Sequence, residues 1–268
     1  MTVQPNSIVA IIIALIFSIV FPAALFLYTR KKTGIGAKPF FVGCGVFFVF
    51  VVILESIFHK LVLSLPFGTA LKNSVLASSI YGGLCAGIFE ETGRLVAFKT
   101  LLKKDVDKNE TALMYGVGHG GFEAFYLLFS LMVTNLIFAI NINSGNVSTL
   151  TAGYTGETLT ALENSIKTLV ETKSIIFYVS IFERISAVII HVSASILVWF
   201  AVKNKKWWLY PIAIVLHAFL DFIAGFCNGL KCPVAITEII IFVFAVVSFT
   251  VTLLCVWIKN QPKQEKSE

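Results

Sequence analysis

Charged residues are scarce in this sequence, since Asp, Glu, Lys and Arg together make up only 13% of its 268 residues. Soluble domains contain about 25% charged and about 45–50% apolar residues, whereas 57% of this chain is hydrophobic. The apolar residues fall into blocks of roughly 20, the length at which a helix crosses a bilayer. This pattern excludes an ordinary soluble core. It makes the lipid bilayer the expected partner.

The sequence also lacks internal repeats, low-complexity tracts, lipidation motifs and a basic segment ahead of the first apolar run. That run ends in TRKK without a small-residue cleavage site, so we expect a retained helix rather than a cleaved signal peptide. On a soluble protein, the net charge of +6 would suggest nucleic-acid binding. Here the basic residues flank apolar blocks, which is a membrane-orientation signal, and we expect no nucleic acid as a partner.

The apolar blocks predict an all-α polytopic membrane bundle of about seven transmembrane helices, forming a single domain over residues 1–258. The predicted helices lie near residues 8–28, 40–63, 75–98, 111–140, 174–202, 207–226 and 234–258. The one long connection, 141–173, is polar, and its apolar positions recur at helical spacing near 159–170, which predicts a short amphipathic helix. Residues 259–268 are expected to be a disordered cytoplasmic tail.

Most basic residues fall in the loops that follow the first, third, fifth and seventh predicted helices. Cytoplasmic loops carry the excess of Lys and Arg, so we expect the N-terminus outside, the C-terminus in the cytoplasm and a multi-pass protein of a bacterial plasma membrane. The loop that holds Cys227 and Cys232 then faces outward. An oxidising compartment there would allow a disulfide between them, and the sequence leaves their oxidation state open.

Ionisable residues interrupt four consecutive predicted helices, although each costs about 2.5–3.5 kcal/mol at the bilayer centre on insertion scales. They are Glu90, Glu91 and Arg94; His119 and Glu123; Glu183, Arg184 and His191; and His217 and Asp221. Many lie three, four or seven residues apart and therefore share one helix face. We expect them to meet in one polar site, where Glu183 and Arg184 would orient the other groups or pair with the third helix.

This inventory suits zinc-dependent hydrolysis, although the HExxH motif is absent. Imidazoles and carboxylates are good Zn²⁺ ligands, and the candidates are His119, Glu123, His191, His217 and Asp221. One of Glu90 and Glu91 would act as general base on a zinc-bound water. Adjacent residues point about 100° apart on a helix, so the other glutamate would pair with Arg94 or Arg184. The sequence does not distinguish the two glutamates.

Four segments carry a resemblance to a known family: EETGR at 90–94, GHGGFEA at 118–124, FERISAVIIH at 182–191 and HAFLDF at 217–222. Together they resemble the YhfC family of intramembrane metalloproteases, which is related to the CAAX-protease and bacteriocin-processing superfamily. The resemblance implies an intramembrane endopeptidase that hydrolyses membrane-anchored or amphipathic peptides. It makes Glu90 or Glu91 the water-activating carboxylate, and His119 and His217 ligands or oxyanion stabilisers.

The chain departs from the superfamily pattern in two places, because EExxR is one residue shorter than EExxxR and Tyr115 stands where the pattern has Phe. The ligand set therefore stays open, as does a metal-free mechanism in which histidines hold a glutamate-activated water. A proton- or ion-coupled transporter is the alternative function, although no inverted repeat supports it. A non-enzymatic membrane scaffold is a third hypothesis. Glu55 and His59 are expected to lie outside the ligand set, and Glu238 to be solvated.

Overall fold

A computed structural model describes residues 1–260, and its regular elements over that range are all helical. The helices are α1 (Pro5–Thr33), α2 (Lys38–Ser64), α3 (Gly68–Asn73), α4 (Val75–Lys99), α5 (Glu110–Asn143), α6 (Val147–Thr151), α7 (Gly156–Glu171), α8 (Ser174–Lys203), α9 (Leu209–Gly229) and α10 (Val234–Asn260). The predicted all-α fold is confirmed. Of the predicted disordered tail, residues 261–268 lie outside the described residues, and the two residues before them end α10.

Six helices of the described chain are long and apolar enough to cross a membrane, namely α1, α2, α5, α8, α9 and α10. The protein is therefore a multi-pass membrane protein. The predicted third span, α4, is not among the six, although its 25 residues correspond to about 37 Å of helix. Its acidic pair, its arginine and its glycines lower its hydropathy. Seven spans and an outward N-terminus thus stay predictions.

Exposure in this fold is the reverse of that in a soluble protein. Large apolar side chains such as Val20, Leu131 and Val215 are more than half exposed, whereas Glu91 and Arg94 are fully buried. A hydrocarbon solvent explains both observations, because apolar side chains can face lipid at no cost while charges must find partners inside the protein.

The chain forms two compact units, and their boundaries fall inside α1, α5 and α8. The first unit comprises residues 1–23 and 124–184. Within it, the Val3 N–H donates to Asn143 Oδ1 at 2.7 Å, and Asn143 Nδ2 donates back to the Val3 carbonyl at 3.0 Å. Helix α7 buries Ile166 and Leu169, which confirms the predicted amphipathic helix. The prediction of a single domain is not tested by this division.

The second unit, residues 24–123 and 185 onward, brings α4 and α9 very close together. A Cβ atom on Gly83 would lie 2.3 Å from the Ala218 carbonyl oxygen, and one on Gly87 would lie 2.7 Å from the Ile214 carbonyl oxygen. Only glycine permits such approach at these two positions. The seam between α4 and α9 therefore places the acidic pair of α4 beside the histidine of α9.

Glycines of α5 have the same effect against α8. A Cβ atom on Gly116 would lie 2.8 Å from the Val192 Cα atom, and one on Gly120 would lie 2.9 Å from the His191 Cβ atom. This close packing brings His119 next to His191, with ring centroids 4.9 Å apart. The imidazoles of α5 and α8 consequently meet inside the second unit.

Candidate metal centre

The Glu90 carboxylate lies at the centre of three imidazoles. Its Oε2 atom is 2.8 Å from His119 Nε2 and 3.8 Å from His191 Nδ1. Its Oε1 atom is 3.6 Å from His217 Nε2. All four residues are buried, and each belongs to a different helix, respectively α4, α5, α8 and α9. Part of the polar site predicted from helical spacing is thus assembled around one carboxylate.

Glu91 has different partners from its neighbour, as expected from their angular separation on the helix. Its carboxylate forms a buried ion pair with Arg94. Its Oε1 atom is also 2.8 Å from His217 Nδ1. Because a carboxylate only accepts hydrogen bonds, His217 donates to Glu91 from Nδ1, and its Nε2 atom lies on the side of the ring that faces Glu90.

His191 is held in a comparable way by Glu123 and Arg94. Its Nε2 atom forms an ion pair with the Glu123 carboxylate, while its Nδ1 atom is 3.2 Å from an Arg94 guanidinium nitrogen. A guanidinium can only donate, so Nδ1 accepts and Nε2 carries the proton. Glu123 was predicted as a metal ligand. It contacts Nε2 of His191, whereas Nδ1 of the same ring is the nitrogen near Glu90.

The residues around Glu90 fit a divalent metal ion. Glu90, His119 and His191 each offer a ligand atom, and these atoms lie within 4.8 Å of one another. Imidazole and carboxylate are the donors that Zn²⁺ accepts. Histidines that bind metals commonly donate their other ring N–H to a carboxylate. His191 and His217 both have such a carboxylate partner.

The remaining predicted site residues differ in their surroundings. Asp221 Oδ2 is 3.4 Å from His217 Nε2, and the Asp221 side chain is 35% exposed, far more than those of Glu90, Glu91 and Glu123. Glu183 and Arg184 form an ion pair with each other. Their predicted part in orienting the site stays a prediction. Cys227 lies in the last turn of α9, and Cys232 lies three residues after its end.

Tyr115 is a site residue that sequence reasoning treated only as a departure from a motif. It is fully buried, its ring centroid is 5.9 Å from that of His119, and the Arg94 Cζ atom lies 5.9 Å from its ring. Its hydroxyl has no hydrogen-bond partner within the described part of the chain. The feature of the sequence that could have identified Tyr115 is its position one helical turn before His119.

A second polar cluster lies in the same unit and involves α2. The Glu55 Oε1 atom is 3.2 Å from His59 Nε2, and His59 Nδ1 is 2.8 Å from the Tyr81 hydroxyl. Glu55 is buried at the end of a π-helical segment, Phe48–Glu55. Segments of this kind are frequent at functional sites. The predicted solvation of Glu238 is wrong, because that side chain is buried on α10.

Comparisons with known proteins agree with this geometry. The sequence profile of the YhfC intramembrane metalloproteases matches residues 17–241. The chain is also 34% identical over 230 residues to the uncharacterized membrane protein YhfC of Bacillus subtilis (strain 168). That alignment covers 85% of this chain and 88% of the relative. No solved structure matches the chain significantly.

Proposed function

Because the chain belongs to the YhfC intramembrane metalloprotease family, we propose that it is an endopeptidase that hydrolyses membrane-anchored or amphipathic peptides. The observation that carries this proposal is the buried Glu90 carboxylate, which lies within 3.8 Å of imidazole nitrogens from three other helices. Such a group is expensive to keep in a membrane protein. A reaction that needs a positioned base beside metal ligands accounts for it.

The nitrogens of His119, His191 and His217 that lie near Glu90 would hold the ion, for which we propose Zn²⁺. The ion would then replace the hydrogen bond that His191 Nδ1 accepts from Arg94 and the one that His119 Nε2 donates to Glu90. When bound there, the ion supplies Lewis acidity for a water molecule and for the peptide carbonyl. The carboxylates of Glu91 and Glu123 fix the rings of His217 and His191 from their opposite nitrogens. Positioning of this kind keeps the donor atoms directed at one point.

Glu90 is the proposed general base, since Glu91 is engaged by Arg94 and His217. In the hydrolysis, a water oxygen forms a bond to the peptide carbonyl carbon while Glu90 accepts one water proton. The carbon–nitrogen bond then breaks, and Glu90 returns that proton to the leaving amine. The second water proton remains on the new carboxyl group, so the products are a carboxylic acid and an amine, which ionise to carboxylate and ammonium, and the Glu90 carboxylate is regenerated.

The substrate would approach on the side of Asp221, whose side chain is more exposed than those of Glu90, Glu91 and Glu123. An apolar segment could lie along the lipid-exposed surface formed by Ile80, Leu84, Val215 and Phe219, on helices α4 and α9. Membrane-anchored or amphipathic peptides match this combination of an apolar surface and a polar site. We therefore prefer them over soluble peptides as substrates.

Metal analysis of the purified full-length protein tests the proposal. We expect about one zinc per chain, with loss of zinc in His119→Ala and His217→Ala and no loss in Glu163→Gln, a control at an exposed position of α7. New N-termini should also arise in membrane proteins of cells that express the wild-type chain but not Glu90→Gln. Ion flux through the purified protein in liposomes, combined with no bound metal and no cleavage activity, would instead favour the transporter hypothesis.

A further inference from the structure

Helix α9, which carries His217 and Asp221, ends in a Schellman motif. The Lys231 N–H donates to the Asn228 carbonyl at 2.9 Å, and the Cys232 N–H donates to the Cys227 carbonyl at 2.9 Å. Lys231 has a φ of 57°, the left-handed conformation that this motif requires after the helix. The pair of hydrogen bonds fixes which two side chains lie next to each other.

Those two side chains belong to Cys227 and Cys232. In a Schellman motif, the residues joined by the longer-range hydrogen bond commonly place their side chains in mutual contact, usually an apolar one. Here both residues are half-buried cysteines with free thiols. The backbone of the cap thus already brings together two groups that can be joined covalently.

We propose that Cys227 and Cys232 form an intramolecular disulfide that closes the cap of α9. One thiolate attacks an external organic disulfide and releases its first thiol, and the second cysteine then attacks the mixed disulfide and releases the other. Two electrons pass to the external disulfide, and the two cysteine protons end on the released thiols. The positive-inside pattern predicts that this loop faces outward, where such bonds persist.

The disulfide would restrict the end of the seam between α4 and α9. A Cβ atom on Gly229 would lie 2.4 Å from Val75 Cγ1, and one on Gly225 would lie 3.4 Å from Ser79 Oγ. These contacts extend along the same two helices to the hydrogen bond between Glu91 and His217. The disulfide lowers the conformational entropy of the unfolded chain, so the oxidised protein should be the more stable form.

The other cysteines provide the background for a test. Cys44 Sγ donates to the Gly118 carbonyl at 3.3 Å, Cys85 is buried on α4 and Cys255 is exposed on α10. Replacing these three by serine leaves Cys227 and Cys232 as the remaining thiols, in what we term the two-cysteine variant. Adding Cys227→Ser to that variant leaves Cys232 alone and gives the matched control.

The experiment equilibrates the full-length two-cysteine variant in detergent with glutathione buffers of increasing oxidised fraction. Samples are then quenched with acid, alkylated with a maleimide and weighed as intact protein. We expect both thiols to become protected together, with a mass lower by two hydrogen atoms, in a chain that stays monomeric without reductant. The control with Cys232 alone should be alkylated or carry one glutathione.

Alkylation of both thiols at every buffer ratio would overturn the proposal, as would disulfide-linked dimers as the oxidised product. Thermal unfolding of the wild-type chain gives a second readout that needs no variant. Reductant should lower its melting temperature by about 2–4 °C or more, the shift that roughly 1 kcal/mol causes in a chain of this size. Cys227→Ala/Cys232→Ala should show no effect of reductant, and an equal shift in it would contradict the assignment.

Discussion

The Glu91 carboxylate accepts a hydrogen bond from His217 Nδ1 at 2.8 Å, across the seam between α4 and α9. The same carboxylate forms an ion pair with Arg94, which is completely buried. Glu90, one residue earlier, lies instead among the imidazole nitrogens near His119. The two neighbouring glutamates thus differ in partners, and substitutions at them should have different effects.

Glu90→Gln should abolish cleavage while leaving metal content and folding unchanged. A positioned general base contributes about 10²–10⁴-fold to a rate, so we expect cleavage of a membrane-anchored reporter to fall by at least about 100-fold. Activity and zinc content are measured on the same preparation. Loss of zinc in this variant would make Glu90 a ligand rather than the base, and undiminished cleavage would refute both roles.

Glu91→Gln should primarily destabilise the fold. Removing one partner of a buried ion pair costs about 3–5 kcal/mol, because the remaining charge is left uncompensated. We expect the free energy of unfolding in detergent, measured by denaturant titration, to decrease by about 3 kcal/mol for this variant. The exposed Glu163→Gln serves as control. Equal stability of Glu91→Gln and wild type would mean that the pair with Arg94 is not required.

Glu123→Gln tests the positioning of His191. Replacing the carboxylate partner of a metal-bound histidine typically weakens metal affinity about 10–100-fold. We expect that loss in a competition titration of the purified variant against a zinc chelator. Glu157→Gln, at an exposed position of α7, should bind zinc like the wild type. Complete loss of zinc from Glu123→Gln would place Glu123 among the ligands themselves.

Gly83→Ala should separate α4 from α9, because the added Cβ would lie 2.3 Å from the Ala218 carbonyl oxygen. Overpacking of this kind costs about 1–3 kcal/mol, and zinc affinity should fall as Glu91 moves away from His217. Gly82→Ala is the matched control on the same helix, since its Cβ would meet no atom within 4 Å. Similar behaviour of the two variants in thermal unfolding would argue against the close seam.

The helical, membrane-embedded fold and the meeting of four polar helices were predictable, because they depend on block lengths and on spacing within single helices. The separate partners of Glu90 and Glu91 were predicted as well. Which glutamate pairs with Arg94 was not predictable, since it depends on the rotation of α4 against α9. Glycine contacts between α4 and α9 fix that rotation. The periodicity of residues within α4 contains no information about these contacts.

Burial of Glu55 was also missed, for a different reason. Residues 48–55 form a π-helical segment, in which the side chains that face inward differ from those expected for a regular α-helix. Its partner His59 lies four residues later, a spacing that is weak evidence without knowledge of the fold. Tyr81, on α4, completes the cluster through a contact that only the tertiary structure shows.

The low hydropathy of α4 has a consequence for how the protein is made. His217 follows Glu91 by 126 residues, so α4 is translated well before the histidine of α9 that contacts it. Until α9 has been synthesised, the acidic pair of α4 lacks one of its imidazole partners. The final contacts of this helix therefore form only after α9 has been translated.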